Sequence, residues 1–149
     1  MQKPLPKQIL KATILLFWCL ATALSTSAQS WQPLGPDDFN QPSFNSAAYP
    51  SLALDGSGTP YVAYVDRGNG YKTTVKKFNG TTWVDVGAPG FSAGQASFTS
   101  LALDGSGTPY VAYGDKGNGN KATVMKFNGT TWVDVGTPGF SAGQADYTS

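Results

Sequence analysis

The chain has 149 residues, ten Lys plus Arg, nine Asp, no Glu, no His and one Cys. Lacking His and Glu, it lacks the commonest general bases and metal ligands, and one Cys makes no intrachain disulfide. An acid set drawn wholly from Asp, with 18 Gly and 10 Pro, points to strands joined by tight turns rather than to helices.

Residues 1–28 read as an export signal. Lys3, Lys7 and Lys11 flank an apolar run from Ala12 to Leu24, and Thr26 and Ala28 stand at the spacing of a signal-peptidase site. The run is shorter than the roughly 20 residues a membrane-spanning helix needs. Trp18, directly before Cys19, is too large for a lipid-attachment site. The expected location is therefore secreted, periplasmic or cell-surface, with no stable membrane span after cleavage. Cleavage takes three lysines and the only Cys, leaving seven cations against nine aspartates, a net charge of −2. With no basic stripe, that balance argues against nucleic acid and against an anionic membrane surface as partners.

Residues 29–50 read as an outer strand and linker. Trp31-Gln32-Pro33-Leu34-Gly35 echoes Trp83-Val84-Asp85-Val86-Gly87 further on, and Phe44 lies in the linker. Pro33 suits an edge strand. In a closed ring, such a lone strand would complete the last unit.

Residues 51–99 and 100–148 are one unit written twice, with a period of 49 and identity at 41 positions. Each unit predicts four strands. In the first unit these are Leu52–Leu54, Pro60–Val65, Lys72–Phe78 and Thr81–Val86. Asp55–Thr59 is a turn, Asp66–Tyr71 a loop, and Asn79-Gly80 a two-residue hairpin turn. The first two strands are apolar at consecutive positions, which implies cover on both faces. Four strands per unit at this period describe the blade of a β-propeller. The expected fold class is all-β: tandem four-stranded antiparallel blades. Ser149 opens a third unit, and two blades do not close a ring of about four to eight. The expectation is a piece of a longer reading frame, or self-association of several copies through open blade faces.

The run Leu52-Ala53-Leu54-Asp55-Gly56-Ser57-Gly58-Thr59-Pro60-Tyr61-Val62-Ala63, repeated from Leu101 to Ala112, resembles the core signature of NHL-type propeller repeats. Val75 to Gly80 is similar to that family's third strand and turn. The unit departs from the family in carrying Tyr64 and Tyr113 where an Asp commonly follows Tyr-Val-Ala. The resemblance implies a propeller. It does not imply one activity, since the family includes protein binders, RNA binders and lyase-type enzymes.

Six of the eight differences between the units fall in or beside the loop after strand two and the linker after strand four. Those connections share one end of an up-down-up-down sheet, the end where propellers commonly bind ligands. The candidate ligand-binding residues are accordingly Asp66, Arg67, Asn69, Tyr71 and Gln95, with Asp115, Lys116, Asn118, Asn120 and Gln144. The Asp and Asn oxygens of these loops are of the kind Ca²⁺ takes, but each loop has too few carboxylates to hold one alone; no other cofactor is expected. Asp55 and Asp104 read as turn residues. Trp83, Trp132, Tyr61, Tyr64, Tyr110 and Tyr113 read as packing residues. No catalytic residue is expected. The reading is a secreted or surface binding scaffold for a protein or a glycan. Its rival is a piece of an extracellular glycan-processing or lyase-like enzyme whose catalytic groups lie elsewhere.

Overall fold

The computed structural model describes residues 30, 32–35 and 47–146. The signal segment, Trp31, Phe44 and Ser149 lie outside the described residues. Ser30 and Gln32 belong to a separate N-terminal unit, in which Gln32 Nε2 donates to Ser30 Oγ at 2.7 Å.

The remainder is all-β. Strands β1 (Ala47–Leu54), β2 (Pro60–Asp66), β3 (Lys72–Phe78) and β4 (Trp83–Asp85) form one antiparallel sheet in the order β1-β2-β3-β4. Strands β5 (Ala96–Leu103), β6 (Pro109–Asp115), β7 (Lys121–Phe127) and β8 (Trp132–Asp134) form a second sheet in the same order. A short 3₁₀ turn at Lys116–Asn118 follows β6.

Three boundaries differ from the sequence expectation. First, β1 begins at Ala47, because Ala47 and Ala48 already pair with Asp66 and Val65. The register then slips by one residue before Ser51 meets Ala63, and the extra residue is accommodated with Tyr49 at φ 53°. The second sheet repeats this with Phe98 at φ 51°. Second, the β3–β4 connection is a four-residue loop, not a two-residue turn, since Phe78 pairs with Trp83. Asn79 sets it: its Oδ1 accepts from the N–H groups of Thr81 and Thr82 at 3.0 and 2.9 Å. Third, β4 is only three residues long. The chain still follows β3 beyond it, with Val86 N and Phe91 N donating to the carbonyls of Val75 and Thr73, both at 2.9 Å.

The sheets stack face to face through one core. Side chains alternate along each strand, so Tyr61, Ala63, Val65 and Val75 share a face of the first sheet. They pack against Leu101, Val111, Tyr113 and Met125 of the second. Equivalent residues show what this stacking covers. Leu101 is 7% exposed, whereas its equivalent Leu52 is 64% exposed. Each unit also hooks onto the next: Trp132 Nε1 donates to Val86 O at 2.7 Å, and Phe91 lies flat on the Trp132 ring at 4.1 Å and 7°.

The N-terminal echo has a structural counterpart. Trp83 Nε1 donates to Leu34 O at 2.9 Å, as Trp132 does to Val86 O. Gly35 at φ 89° abuts Phe78 and Trp83; Gly87 at φ 73° abuts Phe127 and Trp132. Leu34-Gly35 thus takes, on the first sheet, the seat that Val86-Gly87 takes on the second.

Candidate functional site

The meander places its connections at two opposite ends. The β2–β3 loop and the long segment after β4 share the loop end; the Asp55–Thr59 turn and the Asn79 loop share the turn end.

At the loop end the sequence candidates come together; most are exposed, while Asp66 and Asp115 are tied into local hydrogen bonds. The Asp66 carboxylate accepts from Asn69 Nδ2 at 2.7 Å and from Thr74 Oγ1 at 3.0 Å. That hydroxyl accepts in turn from Gly90 N at 2.8 Å. Asp115 repeats the arrangement with Asn118, Thr123 and Gly139, and is itself buried. These Asp and Asn side chains tie the loop to the following segment. Among the described residues there is no group of three or more His, Cys, Asp or Glu placed to hold a metal. Gln95 meets Lys116 twice: its carbonyl accepts from Lys116 N at 3.0 Å and its Oε1 from Lys116 Nζ at 3.3 Å. Arg67 lies 6.0 Å from the Tyr71 ring centre, within cation–π reach. Tyr71 and Asn120 both adopt positive φ, and their carbonyls receive Ala96 N and Ala145 N. Gln144 is exposed.

At the turn end the structure forms two related grooves built from residues outside the sequence candidates. One, of about 580 Å³, is lined by the Asp104–Pro109 turn, Tyr110, Lys126, Phe127, Asn128 and Gly129, with Val86, Tyr61 and Lys77 from the preceding unit. The other, of about 800 Å³, is lined one repeat earlier by Leu54, the Asp55–Pro60 turn, Tyr61, Lys77, Phe78, Asn79 and Gly80, with Leu34 where Val86 stands in the first. The turn builds its own rim. Asp55 Oδ1 accepts from Ser57 N, Ser57 Oγ and Thr59 N at 2.7–2.9 Å. The Ser57 hydroxyl and then the Thr59 N–H hold the Asp55 carboxyl below its ordinary value, and Asp104 is treated alike by Ser106 and Thr108. Burial, followed by the Asp55 charge, raises the Tyr61 phenol. Lys77 and Lys126 stand directly across from Tyr61 and Tyr110 on the paired strands. Neither lysine makes a salt bridge among the described residues, where the one ion pair is Lys76–Asp85.

The grooves were hard to see in the sequence because their walls come from positions about 20 residues apart, closed by the unit before. One signal was available. The residues that differ between repeats avoid the turn end, where every lining residue from Asp55 to Tyr61 and Lys77 to Gly80 recurs unchanged.

The described chain is thus an all-β protein of two stacked, near-identical four-stranded sheets. No family model matches it and no curated protein does. Among solved structures it is similar to a fucose lectin from Kordia zhangzhouensis in complex with methyl-fucoside, at 18% sequence identity and a TM-score of 0.40. The match covers 62% of this chain and 64% of that one, so the chain spans less than two thirds of that lectin's length.

Proposed function

We propose that this is an exported, propeller-type repeat protein that binds carbohydrate, with one site per repeat in the turn-end groove. The observation that carries the reading is that the same turn and loop positions build a groove in both repeats, the groove at Tyr110 having Tyr61 and Lys77 of the preceding unit as a further wall. Each combines a tyrosine and a phenylalanine ring with hydroxyls, an amide and an ammonium, and the groove at Tyr110 adds Tyr61 and Lys77. Such a surface suits a sugar: the rings take its C–H face, and the polar groups take its hydroxyls. Paired sites also suit a polymer or a cell-surface glycan, where weak single contacts add through avidity. The sequence reading of a binding scaffold is kept, and its location outside the cytosol rests on the signal-like leader.

Titration calorimetry against a panel of neutral and acidic sugars, methyl-fucoside among them, tests this. Two sugar equivalents per chain are expected, and Tyr110→Ala should leave one. Release of cleaved product would favour the enzyme reading instead. Failure of every sugar to bind, with capture of a protein partner that Tyr110→Ala does not disturb, would remove the grooves from the function.

A further inference from the structure

Four Asn-Gly pairs stand among the described residues: Asn69-Gly70 and Asn118-Gly119 at the loop end, Asn79-Gly80 and Asn128-Gly129 at the turn end. Glycine has no Cβ to shield its nitrogen, so an asparagine before it can cyclise onto that nitrogen. The two ends treat this chemistry in opposite ways. At the turn end, Asn79 Oδ1 accepts from Thr81 N and Thr82 N at 3.0 and 2.9 Å, and Asn128 Oδ1 accepts from Thr130 N and Thr131 N at 3.0 and 2.9 Å. These donors draw electrons from Cγ and sit where negative charge develops on Oδ1 when a nucleophile adds. The nucleophile is adjacent: Gly80 N and Gly129 N donate to no group among the described residues. Both asparagines are exposed, Asn79 with a sheet following its own and Asn128 with a sheet preceding.

At the loop end the same dipeptide is restrained. Asn69 Nδ2 donates to Asp66 Oδ2 at 2.7 Å, and Asn118 Nδ2 to Asp115 Oδ2 at 2.8 Å. Each carboxylate holds the nitrogen that would have to leave, and its charge repels the charge that would build on the nearby Oδ1. Gly70 N is engaged with Arg67 O at 3.3 Å. The segment after each outer strand also wedges these side chains. A Cβ on Gly90 would meet Asn69 Cβ at 2.9 Å, and one on Gly139 would meet Asn118 Cβ at 2.7 Å.

We propose that Asn79 and Asn128 are self-modification sites, where the folded loop promotes conversion of the amide to an acid, and that Asn69 and Asn118 are protected from it. The glycine nitrogen loses its proton to hydroxide and bonds to the asparagine Cγ. The Cγ–Nδ2 bond breaks, ammonia leaves, and a cyclic imide remains. Water opens the ring at either carbonyl to give aspartate or isoaspartate. The net change is amide plus water to carboxylic acid plus ammonia, with no oxidant, reductant or enzyme. Each conversion sets a negative charge at a groove rim, because Asn79 and Gly80 line one groove and Asn128 and Gly129 the other. The turn end, whose groove-lining cations are Lys77 and Lys126, thereby loses positive character as the protein ages.

Peptide mapping by mass spectrometry tests the proposal with no sugar present, so it stands apart from the carbohydrate reading. The full chain is held at mildly alkaline pH in heavy-oxygen water, folded in one sample and in guanidinium in another, and then digested in ordinary water. Cleavage after Arg and Lys puts the four asparagines in four separate peptides, and heavy oxygen marks conversion that preceded digestion. In guanidinium all four sites should convert at similar rates. In the folded chain Asn79 and Asn128 should keep or exceed that rate, while Asn69 and Asn118 fall below it by a factor on the order of tenfold or more. Asp66→Asn, which keeps an acceptor but removes the charge, should raise conversion at Asn69 and leave Asn79 unchanged. The proposal is overturned if folding slows the turn-end pair as much as the loop-end pair, if the loop-end pair converts as fast as the turn-end pair, or if a folded Asp66→Asn chain leaves Asn69 unchanged.

Discussion

Thr73 and Ala122 hold the same position one repeat apart, and the pair is a natural control. Thr73 is fully buried and its Oγ1 has no hydrogen-bond partner among the described residues. A buried hydroxyl left unpaired is costly, so Thr73→Val should stabilise the protein by about 1 kcal/mol in urea titration. Trp83 and Trp132 form a second control. Trp132 is buried, stacked on Phe91 and bonded to Val86 O. Trp132→Ala should cost about 3–5 kcal/mol, and Trp83→Ala measurably less, because Trp83 is only half-buried. The phenols give a pH dependence. Burial first, and then nearby Asp charges, raise Tyr64 and Tyr113 well above their ordinary value of 10.0. Below that value both folded and unfolded chains keep these protons. Above it the unfolded chain ionises while the folded chain does not, so stability should fall as pH rises past about 10. The Tyr64→Phe, Tyr113→Phe double variant should flatten that fall in thermal melts.

The strands were legible where pattern and punctuation agreed. Pro60 to Val65 and Lys72 to Phe78 are runs rich in β-branched and aromatic residues bounded by Gly and Asp, and the structure keeps both, adding Asp66 to the first. The start of β1 was not legible, because Ala47-Ala48-Tyr49-Pro50 has no alternation and its bulge needs positive φ at a tyrosine. Only long-range packing selects that conformation: Tyr49 meets Phe98 of the second sheet at 4.7 Å, and Tyr49 O accepts from Thr99 Oγ1. The β3–β4 loop was misread in length because Asn79 and Gly80 favour a two-residue turn by type, while the Asn79 side chain here captures two later N–H groups. Gly80 stays indispensable in either geometry, at φ 99°. Gly80→Ala should therefore destabilise by about 1–2 kcal/mol, read as a lower urea midpoint at unchanged slope.

Stacked units stabilise one another, and most of the second sheet's inner face is buried only because the first exists. The same substitution at equivalent sites should report this directly. Ala63→Asp places a charge in the sheet junction and should unfold the chain, whereas Ala112→Asp, at a half-buried position, should leave a cooperative melt. The repeat and its stacking were readable from the 49-residue period. The grooves were not, because no single unit contains one.

The near-identity of the units also bears on how the chain reaches this state. Ser51 pairs with Ala63 and Ser100 with Ala112 in the same register. The β1 sequence could therefore zip onto β6 with almost the same side-chain fit as onto β2. What separates the correct partner from its twin is chiefly the length of chain to be closed, five residues against more than fifty. The Asp55 turn, with its three hydrogen bonds to one oxygen, stabilises the shorter loop. Weakening it, for instance by Asp55→Ala, should populate chains in which β1 pairs with β6 during refolding, visible as a slow phase whose rate is independent of protein concentration.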